Sequence, residues 1–377
     1  MEQIQMVDLR SQYLKIKDEI DAAIHEVIDT TAFIKGPAVA DFEKALQKYT
    51  GVKHAIGCAN GTDALQIALM ALGVKPGDEV IVPTFTFIAT AEVIALLQLK
   101  PVFVDVYADT FTMIPEQIEE AITQNSKVII PVHLYGQCAD MQAILEIADR
   151  HNLFIVEDAA QAIGSEYVFS DGTVRQAGCI GHIGCTSFFP SKNLGAFGDG
   201  GALFTNSDLY AEKIRSIINH GSKVKYFHEE IGVNSRLDTL QAAILNVKLK
   251  YLDSYAKARQ EAAEYYNNAF AGLDYLQTPA NEPFSSHVFH QYTIKIDAGK
   301  REAFKNFLSL KGIPCMVYYP VPMHLQEAYK FYGYKKGDLP ISEELSHSVI
   351  SLPMHTELST EQLEYICNCV KEFFHNR

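Results

Sequence analysis

Four runs of apolar, largely β-branched residues, EVIVP (79–83), PVFVDV (101–106), KVIIPV (127–132) and LFIVED (153–158), alternate with helical stretches such as ATAEVIALLQL and ADMQAILEIADR. No other feature narrows the fold as much. Strands of this kind, separated by helix-length segments, build a parallel sheet covered by helices on both faces. CTSFF (185–189) and GALFT (201–205) read as further strands, and AIGCANGTDALQIALMALG (55–73) as strand, turn and helix ending near Gly73. Upstream, Tyr13, Ile16, Ile20, Ile24 and Val27 recur at helical spacing, which predicts one amphipathic helix over 11–29.

Past RLDTLQAAIL (236–245) the pattern predicts a long helix running through Lys250 to about residue 270. Beyond it HQYTIKID (290–297), the helical AFKNFLSL, MVYYPVP (316–322) and a closing helix over 360–374 suggest a small α+β domain. The expected fold is therefore α/β, with a large domain over 1–250 and a smaller C-terminal α+β domain over 251–377, joined by a rigid helix.

The bulk properties exclude some functions. Lys and Arg number 32 against 46 Asp and Glu, a net charge of −14, which argues against nucleic acid as the main partner. It leaves an anionic small molecule open, because local basic groups override the global sign. No apolar run approaches the ~20 residues that span a bilayer. The opening MEQIQMVDLRSQYLKIKDE has no apolar signal-peptide core, so a cytoplasmic location is expected. Seven cysteines, with Cys367 and Cys369 too close for a C-x-x-C pair, predict free thiols in a reducing compartment and no metal site.

In a parallel α/β sheet ligands bind beyond the carboxyl ends of the strands, and three loops there carry chemistry. Asn60-Gly61-Thr62-Asp63 opens a helix. It reads either as a simple capped start or as an anion site made by Gly61, the first-turn amides and the Thr62 hydroxyl. Glu157-Asp158 ends a very apolar strand, and Gln161 follows. One acid can cap a neighbouring helix, or face a protonated nitrogen on a ligand. Lys192 lies between Ser187 and Ser191 on one side and Gly195, Gly198, Gly200 and Gly201 on the other. A lysine so constrained is either a surface residue or an amine placed to form an imine. A phosphate cradle, an acid for a pyridinium nitrogen and an imine-forming lysine are together the parts that hold pyridoxal 5′-phosphate. A third glycine pattern, Gly178, Gly181 and Gly184, precedes a strand instead of following one, the wrong context for a dinucleotide fingerprint.

The segments MVDLRSQY, FIKGP, NGTDAL, PGDEVIVPTFTF, HLYGQ, EDAAQAIG, SFFPSKNLG and GVNSRLDTLQAAIL, in that order, resemble the DegT-type sugar aminotransferases, a branch of the fold-type I pyridoxal phosphate enzymes. The resemblance covers essentially the whole chain. It implies that Lys192 holds the cofactor as an imine and shuttles the proton, that Asp158 pairs with the ring nitrogen, and that Gln161 lies near the phenolic oxygen. It further implies that Phe85 stacks on the ring, that Gly61, Thr62 and Ser187 bind the phosphate, and that Asn234 reaches the site of a second subunit, with Arg236 beside it. A homodimer with shared sites is thus expected. Members that eliminate water carry histidine where Lys192 stands, so the lysine implies transamination.

The resemblance also implies L-glutamate as amino donor and a nucleotide-linked keto sugar as acceptor. Tyr318, Tyr319 and His324 lie in the sugar-facing segment. HLYGQCADM and YYPVPMHLQEAY look closest to enzymes that aminate C3 of UDP-2-acetamido-2-deoxy-3-oxo-glucuronate for bacterial surface polysaccharide, including lipopolysaccharide O-antigen. Arg236 is the candidate partner for the uronate carboxylate, or else an interface salt bridge. A dTDP-linked 3- or 4-keto-6-deoxyhexose is the alternative acceptor. His287 and His290 read as packed residues or as part of the pocket wall.

Overall fold

The structure, a computed structural model, describes residues 3–224 and 226–375. Its main sheet has seven strands: β1 (His54–Cys58), β2 (Glu79–Pro83), β3 (Lys100–Val104), β4 (Ser126–Ile129), β5 (Phe154–Asp158), β6 (Ile183–Ser187) and β7 (Gly201–Thr205). They lie in the order β1-β7-β6-β5-β4-β2-β3. Strands β3, β2, β4, β5 and β6 are mutually parallel, whereas β7 is antiparallel to both its neighbours. The α/β class and the mainly parallel sheet agree with the sequence reading.

Alternation along each strand divides the core into two layers. Val80, Val82, Val128 and Val156 pack with the helices Gly61–Leu72, Ala89–Leu96 and Asp208–Ile217 on one face. Ile81, Ile129 and Ile155 pack with Pro115–Ala121 and Met141–His151 on the other. These seven strand residues are fully buried, each contributing roughly 1.5–3 kcal/mol. Two-sided burial is why the strands read as unbroken apolar runs.

A second, three-stranded antiparallel sheet (Leu276–Gln277, Tyr292–Ile296, Val349–Leu352) packs with the helices Leu252–Phe270, Arg301–Leu310 and Thr360–His375.

Two expectations are corrected. The helix predicted over 11–29 is two helices, Leu9–Lys15 and Lys17–Thr30, broken where Ile16 (φ −123°, ψ 20°) leaves helical geometry and packs with Ile244 and Val247. The long helix through Lys250 is also two, Thr239–Leu249 and Leu252–Phe270. Residues 316–322 form no strand and make one bridge, Met316 to Ser351. Among the described residues no helix is long and apolar enough to cross a membrane, and no cluster of His, Cys, Asp and Glu could hold a metal.

Candidate active site

The end of β5 presents two acids, and strand alternation sends them opposite ways. Glu157 points into the protein and is fully buried. It accepts hydrogen bonds from the amides of Gly178 (2.8 Å), Ile180 (2.7 Å) and Gly181 (2.6 Å) and from His133 Nε2 (2.9 Å). The glycine pattern at 178–184 is thus the lining of this acid's socket. A Cβ on Gly184 would sit 1.8 Å from the Gly178 carbonyl oxygen. Asp158 faces a cavity instead, accepting from Thr90 Oγ1 (2.8 Å) and the Ala160 amide (3.2 Å).

Lys192 enters the same cavity from the loop between β6 and β7. Because those strands are antiparallel neighbours, no crossover helix is needed and the loop folds back tightly. The Lys192 amide donates to the Phe189 carbonyl (2.8 Å) and the Ala196 amide to that of Phe188 (2.7 Å). Gly195 is required in this turn, since a Cβ there would meet the Pro190 carbonyl oxygen at 2.1 Å. Lys248, itself buried, donates to the Gly195 carbonyl at 2.5 Å and fixes the loop from below. Burial lowers the Lys192 amine from its ordinary 10.5 to about 8, with the charge of Asp158 opposing the fall.

The third wall is the start of the helix Gly61–Leu72. The Asn60 side chain accepts from the Asp63 amide (2.8 Å) and its carbonyl from Ala64 (3.1 Å). That leaves the amides of Gly61 and Thr62 as the unpaired donors at a positive helix end. Ser187, from the end of β6, closes against them: a Cβ on Gly61 would lie 2.6 Å from Ser187 Cβ. Only glycine permits that approach.

One cavity of about 790 Å³ brings together Gly61, Thr62, Asp158, Gln161, Ser187, Lys192, Tyr318 and Tyr319. Gln161 is held by the Tyr135 amide, which donates to its Oε1 (2.8 Å), and by its own Nε2, which donates to the Tyr319 hydroxyl (3.1 Å).

Four expected residues lie elsewhere. Phe85 is 1% exposed and packs among Phe111, Tyr135 and Val132, while Phe87, two residues on and 53% exposed, borders the cavity. Of the two aromatics of PTFTF, the structure brings Phe87 and not Phe85 to the cavity. His324 is 1% exposed and pinned between Thr84 Oγ1 (2.8 Å from Nδ1) and Glu343 (3.2 Å from Nε2), so it ties chain segments together behind the site. Asn234, exposed, and Arg236, half-buried, lie in the segment before the helix Thr239–Leu249 and line no part of this chain's cavity.

Conversely the cavity includes Phe87, Ser191 and Asp199, which were not expected there, and His290, and Thr90 binds Asp158 from the helix Ala89–Leu96. His290 was recognisable as one of a pair. The structure separates that pair: His287 stacks on Phe289 at 3.8 Å between ring centroids, and only His290 reaches the cavity.

These atoms fit pyridoxal 5′-phosphate. The glycine-lined helix end and Ser187 suit a phosphate, the buried amine suits an aldehyde, and Asp158 suits a protonated ring nitrogen.

Comparison with known proteins points the same way. The model of the DegT/DnrJ/EryC1/StrS aminotransferase family matches residues 14–371. The chain is 48% identical to the pleiotropic regulatory protein of Geobacillus stearothermophilus, covering 98% of each chain. It is 45% identical to the UDP-2-acetamido-2-deoxy-3-oxo-D-glucuronate aminotransferase of Pseudomonas aeruginosa, covering 97% of this chain and 98% of the relative. Identity is also 45% to the UDP-N-acetyl-3-dehydro-alpha-D-glucosamine 3-aminotransferase of Acidithiobacillus ferrooxidans, over 99% and 98% of the two chains. Among solved structures, an aminotransferase of the same family from Brucella abortus superposes with a TM-score of 0.93 at 43% identity, over 98% of this chain and 99% of the other. NtdA from Bacillus subtilis, with its bound cofactor PMP, superposes with a TM-score of 0.88 at 33% identity, over 96% and 82%.

Proposed function

Since the chain belongs to the DegT/DnrJ/EryC1/StrS aminotransferase family, we propose that it transfers an amino group from L-glutamate to C3 of a UDP-linked 3-keto sugar, UDP-2-acetamido-2-deoxy-3-oxo-glucuronate first among them. The two relatives named for 3-keto UDP-sugars, each at 45% identity over nearly full length, support this acceptor class. The single observation that carries the chemistry is the lysine. Lys192 is an amine lowered to about 8 by burial and shares one cavity with Asp158, Gly61 and Ser187.

Pyridoxal 5′-phosphate, when bound, supplies the electron sink that acidifies the substrate Cα–H and carries the amino group between the two substrates. The amides of Gly61 and Thr62, with the Ser187 hydroxyl, bind its phosphate. Asp158, oriented by Thr90 and the Ala160 amide, holds the proton on the ring nitrogen. Gln161 would offer its amide to the phenolic oxygen, and Phe87, on the cavity wall, would be the aromatic to stack on the ring in place of Phe85. Lys192 would hold the aldehyde and, when freed, would move the proton between Cα and C4′. An amine near 8 is suited to both tasks, because roughly a tenth is unprotonated at pH 7, against well under a thousandth at 10.5. Tyr318 and Tyr319 offer hydroxyls to the sugar.

In this reading two copies associate, Asn234 and Arg236 of each completing the other's site. Residues 1–250 and 251–377 act as large and small domains. The enzyme works in the cytoplasm on precursors of surface polysaccharide such as lipopolysaccharide O-antigen. The seven cysteines, all buried and unpaired, support a reducing compartment.

The test supplies the cofactor-loaded protein with glutamate and each candidate keto sugar, followed by product mass. Amination of the UDP-linked 3-keto uronate is expected. Turnover confined to a dTDP-linked 6-deoxy sugar would overturn the acceptor. Failure of glutamate to bleach the bound cofactor's absorbance would overturn the transferase reading and favour a role like that in the regulatory relative's name.

A further inference from the structure

His290 has features that simple packing does not explain. It is 5% exposed yet borders the cavity with Lys192. Its Nδ1 is buried without a hydrogen-bond partner. An orphaned buried N–H is rarer than an orphaned lone pair, so the proton is assigned to Nε2, which is not among the atoms buried without a partner. Burial, with the charges of Lys192 and Arg259, drives its pKa well below the ordinary 6.5, so the ring is neutral.

The segment carrying His290 is also over-determined. Phe289 adopts φ 43°, a left-handed conformation that a bulky residue takes only when its surroundings impose it. The buried guanidinium of Arg259 imposes it: Nη1 donates to the carbonyls of Phe289 (3.1 Å), His290 (3.4 Å) and Met354 (3.0 Å). The His290 amide donates to the Tyr135 carbonyl (2.8 Å), and the Phe289 amide to His287 Nδ1 (3.0 Å). Asn193, the neighbour of Lys192, donates from Nδ2 to the Val288 carbonyl (2.9 Å). The loop bearing His290 and the loop bearing Lys192 are thereby locked together.

We propose that His290 is a further active-site residue, a neutral imidazole that donates from Nε2 to the keto oxygen of the oxo substrate, with Arg259 as its positioning residue. The proposal rests on the transaminase reading above. The facing acids Asp63, Asp158 and Asp199 only accept, when ionised, and Lys192 is occupied with the proton at carbon. A neutral imidazole can still donate one N–H to that keto oxygen. Such a donor polarises a carbonyl without surrendering its proton, as neutral histidine does in other enzymes. The same contact serves both half-reactions, since each contains an oxo compound as substrate or product.

The test uses the pyridoxal-phosphate-loaded protein with His290→Phe, which keeps bulk but no donor, and His290→Gln, which keeps a neutral N–H. The loaded wild type carries no amino group to transfer, so 2-oxoglutarate binds without reacting and its dissociation constant is measurable by calorimetry. His290→Phe is expected to weaken that binding about tenfold, as one lost hydrogen bond does, and to slow the glutamate half-reaction about 100-fold. Cofactor absorbance and affinity stay unchanged. His290→Gln recovers most of both effects. Equal binding and rate in all three proteins, or equal losses in both variants, would overturn the proposal while leaving the transaminase reading intact. Failure of the wild type to take up the cofactor would overturn that reading and the proposal with it.

Discussion

Replacing Lys192 with methionine should make the cofactor-free protein more stable, and the gain should depend on pH in a calculable way. The side chain lies in a wall where burial brings its amine from 10.5 to about 8. That fall of about 2.5 pH units, at 1.36 kcal/mol each, sets an upper value of about 3.4 kcal/mol. The residue keeps some contact with the cavity, so solvent screening trims the figure to roughly 2–3 kcal/mol. The sign follows from proton binding. Between pH 8 and 10.5 the unfolded chain holds this proton more tightly than the folded one, so wild-type stability rises with pH across that window. Below pH 8 both states are protonated and the full cost of burying the charge is present. Lys192→Met, isosteric and uncharged, should therefore gain roughly 2–3 kcal/mol at pH 7 and about half of that at pH 9.5. Urea unfolding of both proteins at the two pH values reads the difference directly. A methionine variant equal to or less stable than wild type at pH 7 would refute the reasoning. So would a gain that does not shrink at pH 9.5.

Three other outcomes are expected. Glu157→Gln leaves two donors facing its NH2, either His133 Nε2 with the Gly178 amide or the amides of Ile180 and Gly181, so denaturant midpoints should report a loss of about 3–5 kcal/mol. A loss under about 1 kcal/mol would show the socket does not hold that acid as described. Gly61→Ala forces a Cβ to 2.6 Å from Ser187 and should weaken pyridoxal phosphate binding at least tenfold by absorbance titration, with little change in melting temperature. Phe87→Ala should weaken the cofactor several-fold at nearly unchanged stability, whereas Phe85→Ala should cost about 3–5 kcal/mol of stability; the reverse pattern would restore the original choice of aromatic.

Much of the fold could be read from the sequence because two-sided burial writes itself as apolar runs and helical periods. Positions β2 to β5 and the helix after Asn60 follow from that pattern alone. What could not be read depends on tertiary choice. Ile16 and the Lys250–Tyr251 pair interrupt helices whose apolar spacing continues across the break, and periodicity does not register a local change of φ and ψ. MVYYPVP has strand composition, yet its prolines and the sheet edge leave only the Met316 bridge. Within the site, the glycine before Thr62 and the lysine in its turn were legible because each requires a special backbone. The residues of β5 alone do not tell its two carboxylates apart; the resemblance singled out Asp158, and the strand's two faces give the physical reason. Phe85 and Phe87 share a face by alternation only if β2 continues past Pro83, and it does not. His324 has the composition of a ligand-facing residue but is consumed by Thr84 and Glu343. His290 stayed open between packing and pocket wall, because a buried ring and a cavity wall look alike in one dimension.

The central claim is that one lysine forms the covalent link to the cofactor. Borohydride reduction of the pyridoxal-phosphate-loaded protein, followed by digestion and peptide mass mapping, tests it most directly. The account predicts a single stable adduct on the peptide containing Lys192, absent from Lys192→Met. Label at Lys248 or at a surface lysine, or no adduct under conditions where the bound cofactor absorbs, would contradict it.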